Sequence, residues 1–120
     1  MSFENGNKYY NEGKLELAIE QYKESIGRGY EAEMSYYNMG IAYIKLEEFD
    51  KAIHCMEKAI SFEMENKYFY SLGYCYYMKK DCRSALFNFI IASKLDEEDL
   101  ATKEAVKTLI EVIQKMNKEN

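Results

Sequence analysis

The chain has 120 residues, 48% hydrophobic and 31% charged, with a formal charge of -5, no proline, no tryptophan and twelve tyrosines. This suits one soluble domain with its own core, and it excludes disordered and collagen-like chains. The negative balance argues against nucleic acid as a partner, no apolar run reaches the roughly 20 residues of a membrane span, and the opening MSFENGNKYY lacks a signal-peptide pattern, so a cytoplasmic location is expected.

In chain order the residues recur at steps of 34 and 33. Gly6, Gly40 and Gly73 set the interval, and Tyr9, Tyr43 and Tyr76 follow three residues after them. Ala18, Ala52 and Ala85 keep the same step, as do Tyr22, Met56 and Phe89, then Ser25, Ala59 and Ala92. Several independent columns agreeing on both intervals define a threefold repeat.

The first unit reads as a short helix through Tyr10, a polar break over 11–14 and a second helix carrying Ala18 and Tyr22. In the second, Tyr36, Met39, Gly40 and Tyr43 keep an i, i+3, i+4, i+7 spacing. The break LEEFD follows, with Glu48 or Asp50 as candidate helix cap, and then a helix with Ala52, Met56 and Ala59. The third unit breaks over 79–81. Each unit is thus a pair of helices of about 12 to 15 residues, roughly 20 Å long. The small residues let helix axes approach, the large ones fill the gaps, and a pair unable to bury its apolar face alone must stack on the next.

A seventh helix is expected over 97–118, with Asp96, Glu97, Glu98 and Asp99 at its positive end and Val106, Leu109, Ile110, Ile113 and Met116 as its buried stripe. Lys107 stands in the glycine slot, so no further helix packs closely there and this element caps the array.

These columns resemble the tetratricopeptide repeat family over residues 2 to 99. The family's first-helix pattern is matched by Tyr36, Met39, Gly40 and Tyr43 and by Phe69, Leu72, Gly73 and Tyr76, and its second-helix pattern by Ala85, Phe89 and Ala92. Unit one has Asn5 where the aliphatic belongs, so a short, frayed first helix is expected, and Tyr30, Met64 and Glu97 replace the usual terminal proline. The resemblance implies an all-α fold, an α-α superhelix or solenoid of three helix-turn-helix repeats plus a C-terminal capping helix. As one domain over 1–120 it divides into repeats at 1–32, 33–65 and 66–99 and a cap at 100–118.

Catalytic constellations are not expected. His54 adjoins Cys55 on one helix, where neighbours point about 100° apart, so joint metal binding is disfavoured. The three cysteines, without a secretory signal, are expected as reduced thiols, Cys75 in the core and Cys82 at a helix start. Gly27, Gly29 and Ala32 spell a dinucleotide-type fingerprint, but a helix rather than a strand precedes it, so it reads as a loop between repeats. No enzyme, metal or cofactor is expected.

A second stripe remains on each first helix: Phe3 and Tyr10, then Tyr37, Ile41 and Ile44, then Tyr70, Tyr74 and Tyr77. The resemblance implies that these first helices line a concave groove in which family members bind peptides, and tyrosine supplies contact area with few rotatable bonds. Packing within the array, or self-association through the groove or capping helix, is the alternative. Some family members clamp the C-terminal carboxylate of chaperones with two lysines, two asparagines and an arginine. The matching positions here are Asn7, Asn38 and Lys67, with Phe3 and Ser71 in place of a lysine and the arginine. Lys45 and Lys67 against Glu4 leave the groove at +1, compatible with an acidic peptide. The expected function is therefore a protein-interaction module with a protein or peptide partner.

Overall fold

The computed structural model describes residues 1–119. Among these there are seven helices and no strand: α1 (Ser2–Asn11), α2 (Leu15–Gly27), α3 (Ala32–Lys45), α4 (Phe49–Ile60), α5 (Asn66–Met78), α6 (Cys82–Leu95) and α7 (Leu100–Glu119). The all-α class and the paired helices are those the repeat implies, and α1, at ten residues, is shorter than α3 and α5. Two compact units result, residues 1–63 and the chain from Met64 onward. In the first, α1 pairs with α2, α3 with α4, and α2 also packs on α3. In the second, α5 pairs with α6, and α6 carries α7 on another side.

The periodic glycines explain how each pair closes. A Cβ on Gly6 would stand 2.6 Å from the Tyr22 ring, on Gly40 2.6 Å from the Met56 methyl, and on Gly73 2.7 Å from the Phe89 ring. Each is below van der Waals contact, so a bare α-carbon is what lets the large side chain of the second helix lie against the first. Tyr22, Met56 and Phe89, with Ala18, Ala52, Ala85, Ala59 and Ala92, are buried as a result.

The turns inside the pairs share one geometry. Gly13, Glu47 and Lys80 all adopt left-handed backbone, with φ of 78°, 59° and 66°. The amide of the following residue reaches back to the carbonyl of Tyr9, Tyr43 or Tyr76, at 2.9 Å in each case. This Schellman closure satisfies carbonyls that a helix end leaves free. Asp81 caps α6 by accepting from the Ser84 amide at 3.1 Å. Glu48 takes the corresponding position before α4, but its carboxylate pairs with Lys51 at 3.1 Å instead of capping. Gly27 and Gly29 fall at the α2 end and in the link to α3, so the fingerprint-like triplet is a loop between helices.

The last helix departs from expectation in two ways. It starts at Leu100, where the division into repeats begins the cap, and not at residue 97, where the acidic run begins, because Asp96 is extended and accepts from the Glu98 amide at 3.1 Å, while the Asp99 carboxylate takes the Thr102 hydroxyl. Its inward face runs through Thr102, Ala105, Val106 and Leu109, against the cluster of Ala85 and Phe89. Ile110 and Met116, expected in the buried stripe, are 40% and 48% exposed. A helix seated mainly on one neighbour buries a single face, and these two side chains fall outside it. Asn66, at the start of α5, ties the unit together by donating to the Ala92 carbonyl at 2.8 Å and the Thr102 hydroxyl at 3.2 Å.

Candidate functional site

Asn7, Tyr10 and Asn11 are spaced i, i+3, i+4 and so share a face of α1, and Tyr37, Asn38 and Ile41 share a face of α3. These two faces, with Tyr22 of α2 behind them, line an open cavity of about 480 Å³ in the first unit, within the range of small-ligand and side-chain pockets.

A polar knot forms its floor. The Tyr22 hydroxyl donates to Asn7 Oδ1 at 2.6 Å, and Asn38 Nδ2 donates to the same oxygen at 3.1 Å. Both lone pairs of that carbonyl are therefore used, and the Asn7 amide nitrogen remains as the donor of that side chain. Burial pushes the Tyr22 phenol up to about 12, against the opposing influence of Asn38, so it stays a neutral donor through physiological pH. Lys45 places its ammonium 4.8 Å from the centre of the Tyr10 ring, which holds a positive charge beside the cavity.

The structure thus brings together Asn7, Tyr10, Tyr37, Asn38 and Ile41, with Lys45 adjacent. Phe3 lies elsewhere, its ring 6.1 Å from Tyr22 and 6.4 Å from Tyr30. Asn11 and Tyr22 complete the lining and were not among the residues singled out from sequence. Asn11 follows Asn7 by one helical turn, which was the available signal. Tyr22 sits in a framework column that reports its ring and not its hydroxyl.

In the second unit the same columns divide differently. Tyr74 and Tyr77 face solvent, and Lys67 stands 5.7 Å from the Tyr68 ring. Tyr70 meets Phe89 edge-on at 5.2 Å and joins the core cluster, while Ser71 is buried and donates its hydroxyl to the Lys67 carbonyl at 2.8 Å. Elsewhere, burial pushes the Cys55 and Cys75 thiols up to about 12, which makes them inert core groups at neutral pH. His54 is exposed. No helix among the described residues is long and apolar enough to cross a membrane.

Residues 34–63 match the tetratricopeptide repeat family. The Hsp70-Hsp90 organising protein of Plasmodium falciparum is 28% identical over 108 residues, covering 88% of this chain and 17% of that protein. Among solved structures, the first TPR of Spaghetti (RPAP3) bound to the HSP90 peptide SRMEEVD superposes with a TM-score of 0.85 at 18% identity, over 94% of this chain and 90% of that one. The second TPR domain of human RPAP3, in complex with an HSP70 peptide, gives 0.82 at 23% identity over 90% and 91%. The Sgt2 TPR domain of Aspergillus fumigatus gives 0.86 at 18% over 98% and 80%. The chain thus carries one tetratricopeptide repeat recognised in sequence, at residues 34–63, set within 33- to 34-residue columns, and it shares its fold with these domains.

Proposed function

We propose that this chain is a peptide-binding interaction module that holds a segment of a partner protein in the cavity between α1 and α3. The observation that carries this reading is the Asn7–Tyr22–Asn38 knot at the base of a cavity walled by Tyr10, Tyr37 and Ile41. Amide and hydroxyl groups held by neighbours lose little entropy on binding a peptide backbone, and the aromatic walls supply apolar contact. The tetratricopeptide domains bound to HSP90 and HSP70 peptides support a peptide as the ligand class. With Phe3 engaged by Tyr22 and Tyr30 and Ser71 turned onto its own helix, two of the five carboxylate-clamp positions have no cation to offer. Affinity then rests on the side chains around the cavity more than on a terminal carboxylate, with Lys45 favouring an acidic segment. Free thiols at Cys55, Cys75 and Cys82 suit a reducing, cytoplasmic setting.

Peptides selected from a randomised library on the parent protein provide the test, with SRMEEVD in free-acid and amidated forms as defined probes. The selected peptides are expected to bind Tyr37→Ser and Asn38→Ala at least tenfold more weakly at unchanged helicity, and amidation is expected to alter SRMEEVD affinity less than threefold. Selected peptides that bind both variants as tightly as the parent would sink the reading. The exposure of Ile110 and Met116 on α7 favours a second reading, self-association through that helix. Sedimentation over a concentration range separates the two, since a monomer at high concentration removes the second.

A further inference from the structure

The outer face of α6 breaks the pattern of the other second helices. Aligned by the repeat, Phe87 and Ile90 stand where α4 carries His54 and Glu57 and where α2 carries Glu20 and Lys23. All four counterparts are exposed and polar, as the outward column of an amphipathic helix should be. Phe87 and Ile90 occupy the same column and are 64% and 37% exposed. The fold therefore does not require apolar side chains there, because two of its three repeats do without them.

Charge sets this face apart as well. The chain carries 21 acidic residues against 16 Lys and Arg, yet α6 (Cys82–Leu95) holds no carboxylate and two cations. These are Arg83 and Lys94, which bracket Phe87 and Ile90 along the outward line. At 1.5 Å per residue they stand about 16 Å apart, three turns of helix. Of the acids that adjoin α6, Asp81 accepts from the Ser84 amide and Asp96 from the Glu98 amide, each engaged at an end of the helix. Arg83 donates one N–H to Asn117 at 3.3 Å and keeps its charge.

We infer that this face of α6 is a second docking surface, separate from the α1/α3 cavity, and that its occupant is an amphipathic acidic segment of a partner protein. Apolar anchors one helical turn apart would cover Phe87 and Ile90, and flanking carboxylates would meet Arg83 and Lys94. Desolvated apolar contact supplies the affinity, and the bracketing cations supply orientation and discrimination against basic segments.

The test uses the full chain and a labelled 14-residue amphipathic peptide with leucines one turn apart and glutamates at both ends. A second peptide replaces the glutamates by lysines. The variant Phe87→His with Ile90→Glu copies the outward residues of α4, so it preserves a surface the repeat already tolerates. Binding of the acidic peptide is expected to be at least tenfold tighter than of the basic one. It should fall at least tenfold in the double variant and in Arg83→Glu with Lys94→Glu, and it should be unaffected by Asn38→Ala. Absence of binding, or equal binding of the two peptides, overturns the inference. So does a dimer abolished by the double variant, which would make a second copy the occupant, or binding to phosphatidylserine vesicles in preference to the peptide.

Discussion

The α1/α3 face and the α5 face are built from the same repeat columns and behave differently. Tyr37, Asn38 and Ile41 of α3 correspond to Tyr70, Ser71 and Tyr74 of α5. In the first unit, Asn38 reaches across to Asn7 at 3.1 Å and Tyr37 walls a cavity. In the second, Ser71 bonds back to its own helix and Tyr70 turns its edge to Phe89. The second helices also differ in the matching column, where α4 carries the flexible Met56 and α6 the flat Phe89 ring that Tyr70 meets. A repeat thus dictates where a side chain stands, and its neighbours decide whether it packs into the core or lines a cavity.

The largest test of that contrast is in the close approaches. Gly73→Ala would drive a methyl into three Phe89 ring atoms at 2.7 to 2.8 Å, whereas Gly40→Ala meets the movable Met56 methyl at 2.6 Å and, less closely, the Cys55 β-carbon at 3.1 Å. Overpacking against a fixed ring should cost about 2 to 3 kcal/mol, and against the methionine about 1 kcal/mol or less. Urea unfolding of the two variants checks this, and Phe89→Met should recover part of the loss in Gly73→Ala. Equal costs would mean that the ring is no more rigid than the thioether.

Binding should divide along the same line. Asn38→Ala removes a group bonded across helices at the cavity, so a loss of about 1.5 to 3 kcal/mol in peptide affinity, tenfold or more, is expected. Ser71→Ala removes a self-satisfied hydroxyl, and titration should register less than a twofold change.

Alkaline pH probes the buried groups. Cys55 and Cys75 rise from 9.0 to about 12 and Tyr22 from 10.0 to about 12 on burial. The folded chain holds these protons where the unfolded chain releases them. Their contribution to stability is therefore complete below pH 9 and is lost as pH rises toward 12. Unfolding midpoints measured across that window should fall, and Tyr22→Phe should flatten the part of the decline above pH 10.

The smallest effect lies in the turns. Glu47 and Lys80 hold a left-handed conformation that Gly13 adopts at no steric cost, so Glu47→Gly and Lys80→Gly should each stabilise by up to about 1 kcal/mol in thermal unfolding.

What could be read beforehand, and what could not, follows the same division. The helical pairs were legible because Gly6, Gly40 and Gly73 and the large residues that lie on them are matched columns, a signal that needs no knowledge of partners. The three polar breaks were legible too, but their common left-handed residue was not, since Glu47 and Lys80 do not advertise positive φ as Gly13 does. The buried face of α7 was misjudged because more of its residues are apolar than one neighbouring helix can cover, and spacing alone does not say which side is turned inward. At the site, helical phase placed Asn7, Tyr10, Tyr37, Asn38 and Ile41 on facing helices. The Tyr22 hydroxyl and the diversion of Phe3 toward Tyr30 depend on contacts between elements far apart in the chain, which no periodicity encodes.

The most direct test of the binding reading is a titration of the isotope-labelled chain with a library-selected peptide, followed by amide resonances. The side-chain amides of Asn7 and Asn38 and the backbone signals of Tyr10, Tyr37 and Ile41 are predicted to shift together and saturate with one affinity. Saturable binding that leaves those five residues unmoved would contradict the assignment of the α1/α3 cavity as the peptide site.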